Sequence, residues 1–299
     1  MFRLLKNRNS IFLLAIVFGL ALPELSVWTQ VLMMPALALV MTLATIQVPN
    51  NYFLKPRTIL MPSLFGILMT YVVLGGAILG ASALLISDRN LWIGFVLIAA
   101  VPPAVAVIPF TAILEGNVSY TLSGTVASYL AALAVMPLTF WVFVGAGFAD
   151  FSRLVQIMLL LIVLPLILSR IILHFRLQSR IAPVHGLLTN WGFFIVLYSM
   201  IGVNRDLMFN QPLLIAPLAL VAVATTFVLG YGVDQIITLA GVAEKNRISL
   251  VLLGTLKNQG IAGGLAIALF EKEAALPSAV YSVVMILYIL WLDLRRRRP

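Results

Sequence analysis

A cluster of polar residues lies inside an apolar stretch in the second half of this chain. Its lysine stands about twelve residues into a run of about 25, roughly 18 Å from the nearer end of a helix. An unpaired buried ammonium group is costly, so it must be paired, hydrated or deprotonated. We predict ligand binding by Lys257, Asn258 and Gln259, between Gly254 and Gly260. The alternative is a structural lysine that the carbonyl groups of a broken helix satisfy.

A second stretch combines prolines with hydroxyl side chains. Pro102, Pro103 and Pro109 remove backbone donors in the middle of an apolar run, which a continuous helix in lipid tolerates only with internal partners. We predict a helix break there, with a simple proline kink as the alternative. The nearby hydroxyl groups that we predict to contact ligand are those of Thr111, Thr121 and Thr125, although threonine often bonds to its own helix.

The elements that position these residues must be helices in a lipid bilayer. Hydrophobic residues make up 62% of the chain and charged residues 10%, and the mean hydropathy is +1.11. A helix needs about 20 apolar residues to cross a bilayer. Breaks at charged and turn residues predict an all-α membrane protein with ten spans, near residues 10–28, 29–47, 58–86, 91–114, 117–145, 152–175, 187–203, 212–240, 246–270 and 276–292.

The basic residues predict the orientation of these spans. Fourteen of the 19 Lys and Arg residues fall on one side and four on the other, while Lys257 lies within a span. Cytoplasmic loops carry such an excess, so we expect both termini in the cytoplasm and the protein in the inner membrane. The run Arg295–Arg298 then favours contact with anionic lipids over nucleic-acid binding.

The predicted spans divide into two halves of five, residues 1–149 and 150–299. Because each half has an odd number of spans, the second half starts on the opposite side of the membrane and has the opposite orientation. This is the arrangement of an inverted repeat. The two unusual stretches lie in the fourth and ninth spans, the matching positions. We therefore predict that these two helices are broken and cross each other, because free N–H and carbonyl groups at the breaks form a polar site.

Other ionisable residues give weaker signals. Asp234 lies about six residues inside the eighth span. This position is equally compatible with proton coupling together with Lys257 and with pairing to a cation at the membrane surface. The chain has no cysteine, and its two histidines, His174 and His185, have no carboxylate pair, metal-ligand spacing or nucleophile nearby. We predict no enzyme activity, metal or cofactor.

Three motifs resemble the bile acid:sodium symporter family. The first runs from Val101-Pro102-Pro103 through Thr111 to Val118 and continues with Leu122-Ser123-Gly124-Thr125. The second is Asn258-Gln259-Gly260-Ile261-Ala262 followed by Leu265-Ala266, and the third is Pro277 through Val283. The resemblance implies a core domain of spans 3 to 5 and 8 to 10 that moves against a panel domain of spans 1, 2, 6 and 7. It also implies an organic anion at the crossover, and sodium sites.

At the implied sodium sites this sequence departs from the family. Apolar or cationic side chains replace the family's oxygen ligands at Val107, Ile108, Leu253, Lys257, Met285 and Ile286. Matching polar residues persist only at Thr121, Thr125 and Asn258. Sodium requires several hard oxygen ligands, so we expect none to bind.

These observations lead to one principal hypothesis and several alternatives. The principal one is a sodium-independent secondary transporter of a small organic anion or similar polar solute, with Lys257 as its fixed cation or as a proton-coupling group. The alternatives are a sodium-coupled symporter and a membrane receptor or scaffold that binds without transport. The sequence predicts contact with membrane lipids and leaves the oligomeric state open.

Overall fold

The computed structural model describes residues 8–47, 56–145, 151–210 and 212–296. These residues are almost entirely helical, and no strand lies among them, which confirms the all-α prediction. The predicted boundary between the halves, near Asp150, and both chain termini lie outside the described residues, as do Arg3, Lys6, Lys55, Arg297 and Arg298.

In the described part of the chain, seven helices are long and apolar enough to cross a membrane. They are Pro23–Ile46, Ile59–Leu85, Val118–Phe143, Phe151–His174, Gln178–Asn210, Pro212–Leu239 and Lys272–Leu292. Shorter apolar helices cover Ser10–Ala21, Arg89–Ala100 and Gln259–Leu269. These lengths and compositions are those of an integral membrane protein.

The helices are labelled in chain order. The first half contains α1 (Arg8–Ala21), α2 (Ser26–Ile46), α3 (Pro56–Ile67), α4 (Gly76–Leu85), α5 (Arg89–Ala100), α6 (Val107–Ile113) and α7 (Val118–Phe143). The second half contains α8 (Phe151–Met158), α9 (Leu164–His174), α10 (Gln178–Asn210), α11 (Pro212–Val223), α12 (Leu229–Leu239), α13 (Glu244–Leu253), α14 (Gln259–Leu269) and α15 (Leu276–Arg296). Wider π-helical turns join α3 to α4, α8 to α9 and α11 to α12 at Leu68–Gly75, Leu159–Val163 and Ala224–Val228.

Two helices differ from their predicted spans. α1 ends at Ala21, before the predicted residue 28, because Pro23 begins a 3-10 turn that leads into α2. α10 begins at Gln178, before the predicted residue 187. Its first turns are largely exposed and mixed in polarity, so hydropathy does not reveal them.

The helices pack in two groups. In the first group, α10 packs against α1 and α2, and α2 packs against α9. The second group contains α3 to α7 together with α11 to α15. The contact between α3 and α7 is made by backbone: a Cβ atom at Gly66 would fall 2.3 Å from the Cα atom of Gly124. Tyr71 lies in the π-helical segment after α3, and Tyr129 lies in α7, so this contact holds together the two segments that carry these tyrosines.

Candidate functional site

The two helix interruptions meet inside the protein. The first separates α5 from α6 and the second separates α13 from α14. The backbone N–H group of Ala104 donates to the carbonyl oxygen of Leu256, and that of Asn258 donates to Pro102, both at 3.0 Å. This reciprocal antiparallel pair satisfies backbone groups that a break in a membrane helix leaves without partners.

Two prolines explain why α5 ends where it does. Pro102 and Pro103 have no N–H group to donate to the carbonyl oxygens of Ile98 and Ala99, four residues earlier. Both prolines lie in the interruption, whereas Pro109 lies inside α6. In the second interruption, Gly254 directly follows α13 and Gly260 lies in the first turn of α14.

The side chain of Lys257 binds the carbonyl end of α5. Its Nζ atom lies 2.6 Å from the carbonyl oxygen of Ala99 and 2.9 Å from that of Val101. It also lies 4.6 Å from the ring centroid of Tyr71, and the residue is 0% exposed. The carbonyl end of a helix carries partial negative charge, and an aromatic ring face also attracts a cation.

These contacts show which groups compensate the ammonium group of Lys257. An ammonium group has three hydrogen-bond donors, and here two carbonyl oxygens and a ring face surround it. Within the described residues no carboxylate forms an ion pair with Lys257. The arrangement therefore matches the alternative of a structural lysine that backbone carbonyl groups satisfy.

Asn258 and Tyr129 connect the two interruptions. The side-chain oxygen of Asn258 accepts a hydrogen bond from the N–H group of Ile261 and so caps α14. Its side-chain nitrogen donates to the hydroxyl group of Tyr129, which donates to the carbonyl oxygen of Pro103, both at 2.9 Å. Tyr129 is not among the residues predicted from the sequence, where its place one helical turn after Thr125 is the available signal.

The three predicted threonines are buried but have different partners. The hydroxyl groups of Thr111 and Thr121 lie 2.9 Å apart, and Thr111 also donates to Val107 within α6. The hydroxyl group of Thr125 forms no hydrogen bond within the described residues. Thr125 lines a cavity of about 60 Å³, whereas Thr111 and Thr121 do not.

The polar cluster of the second interruption lines a second cavity of about 60 Å³. Lys257, Asn258, Gln259 and Gly260 line it, together with Ser282 and apolar residues of α1, α10 and α15. Gln259 is buried, and neither polar atom of its side chain has a hydrogen-bond partner in the described part of the chain. The structure thus brings three of the predicted site residues to one cavity.

Asp234 lies elsewhere. One of its carboxylate oxygens is 3.3 Å from Nε of Arg247, and both side chains are partly exposed. The pair lines a separate cavity of about 260 Å³ between α12, α13 and α15. Of the two partners considered from the sequence, the structure provides the basic residue of the neighbouring helix and not Lys257.

The model of a family described as the Sodium Bile acid symporter family matches residues 31–211, more than half of the chain and including α5, α6 and α7. A Bacillus subtilis (strain 168) protein named uncharacterized sodium-dependent transporter YocS is 24% identical over 228 residues, which are 74% of this chain and 68% of that protein.

Proposed function

This chain belongs to the sodium bile acid symporter family, and from that premise we propose that it carries a small organic anion or similar polar solute by alternating access, without sodium. The family consists of membrane transporters, which fits the apolar helices. The match ends at residue 211, so Lys257 and its neighbours lie outside it. The sodium-independence therefore rests on the contacts of Lys257 itself.

The architecture that we propose for this carrier has ten spans in two inverted five-helix repeats, residues 1–149 and 150–299. Interrupted helices at α5–α6 and α13–α14 support it, and so do the π-helical turns at Leu68–Gly75 and Ala224–Val228, in the third span of each half. The packing group α1, α2, α9 and α10 corresponds to the panel, and the remaining helices except α8 to the core. We place the protein in the cytoplasmic membrane with both termini inside, because of its basic residues.

One observation carries the proposal: the ammonium group of Lys257 binds two backbone carbonyl oxygens, which are also the kind of hard ligand that a sodium ion requires. Two carbonyl oxygens at 2.6 and 2.9 Å and the ring of Tyr71 contact it. A sodium ion at the same carbonyl oxygens would face this positive charge at contact distance. The lysine therefore supplies permanently the charge that a sodium ion would supply reversibly.

The anionic character of the solute is supported by the electrostatics of the crossover. The N-terminal end of α14 carries partial positive charge and lies at the cavity that Asn258 and Gln259 line. Lys257 adds a full charge next to this helix end, and none of the described residues that line the cavity is acidic. A carboxylate would be stabilised there without a second ion.

A sodium-coupled symporter is the second candidate, because the printed name of the Bacillus relative describes a sodium-dependent transporter. A receptor that binds without transport is the third. Uptake of radiolabelled small carboxylates into proteoliposomes separates the three. We expect equal uptake in sodium and choline buffers and reduced uptake by Lys257→Ala, with the exposed Lys272→Ala as control.

Two outcomes would contradict the proposal. A saturable sodium requirement for uptake would support the symporter, and binding to the purified protein without any uptake would support the receptor.

A further inference from the structure

The side-chain amide of Gln259 lacks the partners that a buried amide needs. The residue is 3% exposed, yet neither its oxygen nor its nitrogen forms a hydrogen bond among the described residues. Buried polar groups in folded proteins are nearly always paired, and an unpaired group reduces stability. A buried group in this state at a cavity indicates a ligand that pairs it.

The surroundings of Gln259 limit the chemistry of that ligand. Gln259 is the first residue of α14, a helix of 11 residues whose N-terminal end favours negative charge. The remaining walls of the cavity are mostly apolar, among them Phe12, Phe193 and Met200. An anionic head with an apolar body matches this combination.

The amide requires both a hydrogen-bond acceptor and a donor from its partner. A carboxylate accepts from the amide nitrogen but has no hydrogen to offer the amide oxygen. An adjacent N–H or O–H group would supply that hydrogen. An adjacent ammonium group would not serve, because the cation of Lys257 and the end of α14 both repel it.

We propose that Gln259 selects solutes in which the carbon next to the carboxylate carries a neutral hydrogen-bond donor, a selection that rests on the proposed transport function. The cavity of about 60 Å³ accommodates the polar head alone, since pockets for whole small molecules measure about 300–1,000 Å³. The apolar body then lies between α10 and α15, and its entry requires these helices to separate.

Binding of two matched compounds to the purified, detergent-solubilised protein tests this selection. N-acetylleucine carries the donor, and in N-acetyl-N-methylleucine a methyl group replaces that hydrogen, so a purely steric preference would persist in a variant without the amide of Gln259. We expect the first to bind about tenfold more tightly, the effect of one buried hydrogen bond and of an amide oxygen left unpaired. Free leucine, with its ammonium group, should bind more weakly than either.

The variant Gln259→Met removes the amide while keeping a similar shape. We expect the discrimination to fall below about twofold and the melting temperature to stay equal or rise, because two unpaired buried atoms disappear. The exposed Gln156→Met is the matched control and should keep the discrimination. A purely structural Gln259 would instead lower the melting temperature when replaced.

Equal binding of the two N-acetyl compounds by the wild type would overturn the selection and leave the transport proposal standing. Persistent discrimination in Gln259→Met, or a lower melting temperature, would overturn it as well. If neither compound binds and no small carboxylate is taken up into proteoliposomes, both this inference and the proposed function fail.

Discussion

The Nζ atom of Lys257 lies 2.6 Å from the backbone carbonyl oxygen of Ala99. In an uninterrupted helix this oxygen would accept a hydrogen bond from the backbone of residue 103, but residue 103 is a proline. The lysine of one interrupted helix therefore satisfies an acceptor that a proline of the other leaves free. The two unusual stretches of the sequence are parts of one interaction.

Replacing Lys257 by Met should destabilise the protein by about 2 kcal/mol or more, because each buried carbonyl group left unpaired costs about 1–3 kcal/mol. Thermal unfolding in detergent measures the loss. The exposed Lys272→Met should stay within about 0.5 kcal/mol of the wild type. A Lys257→Met protein as stable as the wild type would mean that the carbonyl contacts contribute nothing.

Tyr129→Phe removes the hydroxyl group that joins Asn258 to Pro103. We expect a loss of about 1–2 kcal/mol, since two buried hydrogen bonds disappear, and slower uptake because the interruptions are no longer held in register. Melting temperature and uptake rate are the measurements. Tyr231→Phe, on an exposed ring, is the control, and equal effects of the two substitutions would refute a bridging role.

Gly66→Ala should disrupt the contact between α3 and α7. The added Cβ atom would fall 2.3 Å from the Cα atom of Gly124, so backbone must move, at a cost of about 1–3 kcal/mol. Gly80→Ala, where nothing lies within 4 Å of the new atom, should stabilise by about 0.5–1 kcal/mol through helix propensity. Similar melting temperatures for the two variants would contradict this close packing.

Asp234→Asn should change stability by about 1 kcal/mol or less, because its partner Arg247 is partly exposed with it and water screens the pair. We also expect the pH dependence of uptake to remain unchanged, since Asp234 contacts a surface cation and not the crossover. Uptake measured across pH for both proteins tests this. If the substitution abolished the pH dependence of uptake, Asp234 would have a role in proton coupling.

The all-helical fold and the presence of interruptions could be predicted because their causes are local. Hydropathy marks apolar runs, and proline removes a donor wherever it stands. Interactions between spans could not be predicted, because they depend on residues that are distant in the sequence. Tyr71 and Tyr129 lie far from Lys257 and Asn258 in sequence, and a tyrosine in a span is equally compatible with packing, so periodicity does not identify them.

The role of Lys257 shows the same limit more sharply. Its depth in the membrane predicted that something must compensate the charge, but a solute, a carboxylate and backbone carbonyl groups all satisfy that requirement. Which of these groups surrounds the ammonium group depends on the fold. In the structure, the carbonyl end of α5 contacts it. Unpaired atoms such as those of Gln259 likewise become evident only once the neighbours are known.

Sodium binding to the purified protein tests the central claim most directly. The account predicts that increasing sodium, with ionic strength held constant by choline, leaves the melting temperature of the wild type unchanged. Lys257→Ala, which vacates a space lined by the carbonyl oxygens of Ala99 and Val101, should show a saturable sodium-dependent increase, because hard oxygen ligands attract a hard cation. A saturable increase in the wild type that Lys257→Ala abolishes would contradict the account.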